Sequence, residues 1–290
     1  MPEFPIIDAH VHLYDPGVIR YAWMTGKPLF EGPHLMAELD EARGDLEVEA
    51  LVWIEVDADP GQYLQEASYA AGLAERDPRV EAIVAHAPLE RGAAVTPDLE
   101  KLAAHHLSRG IRRLLQDEAD AEFCLRPGFI EGVNLLPRFE LSFDICVRHH
   151  QLAAAIELVR RCPEVRFVLD HIGKPAIREG LMHPWRNDIK ELGELPNVHC
   201  KLSGVITEAD PHSWTRAQLR PYLDHVIECF GFERLMYASD WPVSEQSHRY
   251  PAWVAILDDF TTGCSTTEVR NLFRNNAIAF YRLEPPPSNR

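Results

Sequence analysis

Three short stretches, far apart in the 290-residue sequence, carry side chains that could share one piece of chemistry. The first reads P-I-I-D-A-H-V-H and ends an apolar run with His10 and His12. Residues two apart on a strand point the same way, so the two imidazoles would lie side by side and suit a divalent cation or a bound oxyanion. Alone, the pair is as readily two histidines hydrogen-bonded at a strand end. The second stretch, V-R-F-V-L-D-H-I-G-K-P, sets His171 at the end of another apolar run, with Asp170 expected on the opposite face in a packing or hydrogen-bonding role. The third, R-L-M-Y-A-S-D-W-P-V, ends a strand-like run with Asp240. A carboxylate there is costly to bury without a cation, a metal or a proton to carry, although it could also cap a following helix. Three strand ends that agree outweigh any one of them.

The elements that must bring these ends together are strands alternating with helices. Apolar, β-branched runs at 5–12, 48–56, 80–89, 111–116, 141–147, 165–171, 197–203 and 235–240 predict eight strands. Helical patterning predicts helices over 61–76, 96–108, 150–161, 215–230 and 266–281, the last opening with the capping-box pattern S-T-T-E. Alternation implies parallel pairing, and near-continuous hydrophobicity implies strands covered on both faces. The expected fold is α/β, a single distorted (β/α)8 TIM barrel over residues 1–283, with 284–290 a flexible tail. The irregular stretch 14–33 follows the first strand and would lie over the C-terminal face as a cover.

A net charge of -16 argues against nucleic acid or an anionic membrane as a partner. The six cysteines form no C-x-x-C pair and read as buried thiols in a reducing compartment, Cys146 and Cys200 as small core residues. The N-terminus lacks the pattern of a signal peptide, and no apolar run approaches a membrane span. The chain is therefore read as cytoplasmic, with monomer and homodimer both open.

The motifs taken as a set resemble a known family. H-x-H on the first strand, L-D-H-x-G-K-P on the sixth, K-L-S-G on the seventh and A-S-D-W-P-V on the eighth resemble the amidohydrolase superfamily, in its "amidohydrolase 2" branch of TIM-barrel metal-dependent hydrolases. Q-D-E-A-D at 116–120 and C-K-L-S-G-V-I-T-E-A-D at 200–210 look like its sugar-lactonase members, of the L-fuconolactonase and L-rhamnonolactonase type. Members with two metals carry a Lys or Glu on strand four and a His on strand five. Here strand four ends around Arg112, Arg113 and Gln116, and strand five reads F-D-I-C-V-R. The resemblance thus implies one divalent ion at most, a zinc held by His10, His12, His171 and Asp240, or none, and no organic cofactor. Arg113 and Leu114 stand where the sugar-lactonases carry polar residues, which alters the part of the site that would choose the sugar.

The expected reaction is the opening of a small-molecule lactone of a sugar acid, such as L-fucono- or L-rhamnonolactone. Asp240 is the candidate base for the attacking water, and His10, His12 and His171, or a metal they hold, would polarise the carbonyl. Lys201 could neutralise developing charge or could simply be ion-paired. Arg112, Gln116 and Arg148 are candidates to grip hydroxyls or a carboxylate, and Trp23 and Trp241 could stack on a sugar face or belong to the core. His86, His149 and His150 are read as structural. A lactone isomerase, a metal-dependent aromatic-acid decarboxylase and a non-catalytic binding protein are the competing readings.

Overall fold

The computed structural model describes residues 1–284. Apart from Glu284, the expected tail at 284–290 lies outside the described residues. Eight parallel strands, β1 (Ile6–Val11), β2 (Val48–Ile54), β3 (Val80–Ala85), β4 (Ser108–Ile111), β5 (Ser142–Ile145), β6 (Phe167–Leu169), β7 (Val198–Leu202) and β8 (Leu235–Tyr237), pair in sequence order. Each is followed by a helix: α1 (Met36–Arg43), α2 (Tyr63–Ala74), α3 (Thr96–Ala103), α4 (Pro127–Leu135), α5 (Leu152–Arg161), α6 (Trp185–Gly193), α7 (Arg216–Phe230) and α8 (Tyr250–Phe260). This is the (β/α)8 barrel. The sheet closes between β8 and β1 through His12 N–H to Trp241 O (2.9 Å) and Asp240 N–H to His10 O (3.0 Å). Asp8 helps to seal that seam, accepting from Ser239 N–H (2.9 Å) and from the Tyr250 hydroxyl (2.8 Å).

Several strands are shorter than the apolar runs that predicted them. The sixth stops at Leu169 and not at His171, the eighth at Tyr237 and not at Asp240. The fourth runs over Ser108–Ile111, so Arg112, Arg113 and Gln116 belong to the loop beyond it. Helices α1, α4, α6 and α8 escaped the periodicity, and the expected helix at 266–281 breaks into α9 (Thr266–Arg270), a π turn (Asn271–Asn275) and α10 (Asn276–Tyr281). The capping box holds, with Ser265 Oγ accepting from Glu268 N–H and the Glu268 carboxylate accepting in return. All six cysteines are free thiols. No helix among the described residues is long and apolar enough to cross a membrane.

Two features of the core position the site. Small interior residues, Ala9, Ala50, Ala82 and Ala238, leave room for α10 and the residues just after it to press Phe280, Tyr281 and Leu283 against them. The Tyr281 hydroxyl thereby reaches Asp144 Oδ2 at 2.8 Å. In β1, a register shift between Asp8 and Val11 changes which side each residue faces. Asp8 turns out toward α8, while His10 turns in to meet Arg112 and Lys201. A bulge that re-aims a side chain beside a site is a known use of such irregularity.

Candidate active site

His10, His12, His171 and Asp240 meet at the C-terminal end of the barrel, all buried. His10 Nε2 lies 3.1 Å from His12 Nε2. Asp240 Oδ1 stands 3.5 Å from His10 Nε2, 3.4 Å from His12 Nε2 and 3.9 Å from His171 Nε2. For His12 a hydrogen bond on the far side of the ring fixes which nitrogen carries the proton. His12 Nδ1 faces the Ile54 carbonyl at 3.0 Å, which can only accept, so Nδ1 donates and Nε2 keeps its lone pair. Arg112 Nη1 lies 3.2 Å from His10 Nε2 and Lys201 Nζ 3.3 Å from His10 Nδ1; both can only donate, so these contacts do not select a His10 tautomer. His10 Nδ1 also stands 3.4 Å from Asp170 Oδ1. His171 Nδ1 is hydrogen-bonded to Ser203 Oγ at 2.8 Å.

The His12 lone pair, His10 Nε2 and a carboxylate oxygen crowd one point. Burial holds His10 well below the ordinary histidine range and brings His171 down to about 4, so neither ring carries the compensating charge at neutral pH. Burial alone would raise Asp240, and the surrounding imidazoles of His171, His12 and His10 reverse this and keep it ionised. Among the described residues, the buried carboxylates Glu55, Asp144, Asp170 and Asp240 around the site face only two buried side-chain cations, Arg112 and Lys201. Two negative charges are left over. A tetrahedral zinc with bonds of about 2.0–2.1 Å would separate its ligand atoms by about 3.4 Å. The separations of 3.1, 3.4, 3.5 and 3.9 Å bracket that value. In charge and in spacing, His10, His12 and Asp240 fit one divalent ion, with His171 set farther out beside Asp240.

The frame around them is ionic. Arg112 donates through Nε to Glu55 Oε1 at 2.6 Å and through Nη2 to the Glu55 carbonyl at 2.6 Å. Lys201 is wholly buried, 2.6 Å from Asp144 Oδ2 and 2.9 Å from Asp170 Oδ1. It supports His10 from below and does not line the cavity, so the charge-neutralising role set against ion pairing for it is not available. Asp170, expected on the opposite face, comes to the same side as His171. The chain leaves the strand after Leu169, and His171, Ile172, Gly173 and Lys174 all adopt positive φ (52°, 49°, 72° and 46°). Strand alternation therefore no longer applies. Left-handed backbone costs about 1–2 kcal/mol for each residue bearing a Cβ, and this turn is held by Trp185 Nε1–H to the Ile172 carbonyl at 2.8 Å and by His149 to the Lys174 carbonyl at 3.2 Å. Glycine is required nearby at Gly204 (φ +65°), where a Cβ would stand 2.8 Å from that of His171.

A cavity of about 470 Å³ opens above the four residues. Its walls include Gln116, Arg148 and Trp23 from the expected substrate-binding set, and Arg112 at its base. Trp23 is fixed by Nε1–H to the Val56 carbonyl (2.8 Å), and Arg148 pairs loosely with Asp117 (3.3 Å). Stretch 14–33 contributes Tyr14, Trp23, Lys27 and Phe30, so it does lie over the site. Trp241 does not line the cavity; its ring packs on His34 (5.4 Å between centroids) and its backbone seals the barrel. Cys146, expected in the core, lies buried in the cavity wall, its thiol pushed up to about 11 by burial. Arg113 turns away to Glu90 and Glu118, while Leu114 faces the cavity. Sequence reasoning missed Glu55 and Asp144, although each is a lone acid inside an apolar run, and it gave no role to the wall residues Asp57, Lys174 and Glu208.

The chain is 35% identical to an L-fucono-1,5-lactonase of Burkholderia ambifaria over 226 residues, 77% of each protein. It is 31% identical to an L-fucono-1,5-lactonase of Burkholderia multivorans over 300 residues, 98% of each. A crystal structure of a Burkholderia multivorans amidohydrolase with bound zinc superposes with a TM-score of 0.86 at 28% identity, covering 97% of this chain and 100% of that one. Residues 7–283 match the family described as Amidohydrolase, and the chain belongs to that family.

Proposed function

We propose that this enzyme, with residues 1–283 acting as one domain, hydrolyses the lactone of a sugar acid, an L-fucono- or L-rhamnono-type lactone. The observation that carries this reading is the convergence of His10, His12, His171 and ionised Asp240 under a cavity walled mainly by polar side chains. Such a wall suits a polyhydroxylated ring. Full-length similarity to an L-fucono-1,5-lactonase, and to an L-rhamnono-gamma-lactonase of Scheffersomyces stipitis at 24% identity, supports the lactone as substrate.

Asp240 takes a proton from water as the water oxygen bonds to the lactone carbonyl carbon. The tetrahedral oxyanion then collapses, the ring C–O bond breaks, Asp240 returns its proton to the departing ring oxygen, and the new carboxyl group releases water's second proton to solvent, leaving an open-chain hydroxy acid as its carboxylate. His10, His12, His171 and Asp240 are the residues that would hold zinc. Bound there, the ion would polarise the carbonyl and lower the pKa of water. Arg112 and Lys201 keep His10 and Asp170 in place through Glu55 and Asp144. Trp23, Gln116 and Arg148 orient the ring and its hydroxyls.

Turnover in ¹⁸O-water with mass analysis of the product tests the reading. Hydrolysis places one label in the carboxylate of the open acid. An unlabelled isomer, release of CO₂ from aromatic acids, or no turnover of any aldonolactone would overturn it.

A further inference from the structure

Hydrolysis of a lactone turns a neutral carbonyl into a carboxylate, so a site for it needs a cation that touches the substrate and is not already spent on an internal acid. Lys201 fails this requirement, being wholly buried between Asp144 and Asp170. Arg112 is spent on Glu55. Arg148 is drawn outward to Asp117. Lys174 differs from all three, and from Lys27 on the cover, whose ammonium lies over the Trp23 ring. It lines the cavity together with His12, His171 and Asp240, and among the described residues it has no carboxylate within ion-pairing distance. Its ammonium donates to the neutral Gln116 Oε1.

Its placement is built. In the left-handed turn 171–174, Lys174 N–H closes on the His171 carbonyl at 2.9 Å, an i to i+3 bond. Residues three apart in such a tight turn fall on one side, so His171 and Lys174 both face the cavity. Gly173 between them (φ +72°) packs against Leu152, where a Cβ would come within 2.9 Å. The turn is thereby locked in the one arrangement that displays both side chains. The wall formed by Lys174, Arg148 and Glu208 also borders a neighbouring cleft of about 280 Å³.

Resting on the lactonase reading above, we infer that Lys174 binds the lactone carbonyl oxygen as it becomes a carboxylate and then holds the open-chain acid. It is a substrate-binding residue and takes no proton. Gln116 steadies the ammonium and leaves its charge for the ligand.

The test compares wild type, Lys174→Met and Lys174→Arg in two assays: kinetics on L-fucono-1,5-lactone, and calorimetric binding of L-fuconate against its neutral alditol, L-fucitol. In Lys174→Met the expected results are a kcat lower by about a hundredfold with KM for the neutral lactone little changed. L-fuconate binding should weaken by about tenfold or more, with L-fucitol binding unaltered and Lys174→Arg recovering most of the acid binding. Equal loss of acid and alditol, or unchanged acid affinity in Lys174→Met, would overturn the inference, as would a wild type that binds neither. If wild type opens no lactone yet discriminates acid from alditol through Lys174, the functional reading fails and the anion site stands.

Discussion

Replacing Lys201 by methionine probes the frame that holds the site. The ammonium is fully buried and serves two buried carboxylates, at 2.6 Å to Asp144 and 2.9 Å to Asp170. In Lys201→Met, Asp170 keeps Arg112 at 3.5 Å and His10 at 3.4 Å, whereas Asp144 keeps only the Tyr281 hydroxyl at 2.8 Å. Removing one partner of a buried pair costs about 3–5 kcal/mol, which corresponds to a fall in Tm of roughly 6–15 °C in a chain of this size. The loss should also depend on pH. Burial already raises Asp144 to about 6 against the pull of Lys201, and without the lysine it rises further. A carboxyl whose folded pKa exceeds its unfolded value keeps its proton in the native state. Stability therefore falls as pH climbs from about 4 toward the folded pKa, by about 1.4 kcal/mol for each unit. The deficit of Lys201→Met should be small at pH 5 and large at pH 8, and the double variant Lys201→Met/Asp144→Asn should recover most of it. Urea unfolding at both pH values measures this. A Lys201→Met deficit below about 1 kcal/mol, well short of that range, or one that is equal at both pH values and not relieved by Asp144→Asn, would refute the reasoning.

Glu66 is wholly buried on α2, accepts from Val56 N–H at 2.9 Å, and is raised well above the ordinary glutamate range by burial and by the nearby Glu55. Glutamine mimics its neutral form, so Glu66→Gln should gain stability relative to wild type as pH rises from 5 to 8; thermal melts showing the reverse would contradict this. Gly204→Ala should displace His171, lowering kcat/KM by at least about tenfold and stability by about 1–3 kcal/mol, measured by kinetics and unfolding together. Protein purified without chelator should carry one zinc per chain by elemental analysis, and His12→Ala should lose it; two ions per chain would contradict the charge balance.

The strand ends carrying His10, His12, His171 and Asp240 were legible because each closes a strong apolar run, and runs of that kind mark barrel strands even when their last residues leave the ladder. Asp170 was misjudged because period-two alternation was extended past Leu169, where the backbone turns left-handed. That reversal leaves no trace in hydrophobicity, and only Gly173 hints at it. Lys201 sits one residue inside β7, so its ammonium is captured by Asp144 and Asp170 before it can reach the cavity. Recognising this requires knowing that β5 and β6 stand beside it. Trp241 closes the barrel because the β8–β1 seam needs a backbone bridge there. Helices α1 and α6 escaped notice for a simpler reason, since their sequences are mostly polar and bury only a few side chains each.

The central claim is that Asp240, set among His10, His12 and His171, is the base that opens a sugar lactone. The most direct measurement is the initial rate of acid release from L-fucono-1,5-lactone by wild type and by Asp240→Asn, with unfolding curves to show that both are folded. The account predicts turnover by wild type and a fall of about a thousandfold in the variant. A folded Asp240→Asn enzyme that opens the lactone as fast as wild type would contradict it.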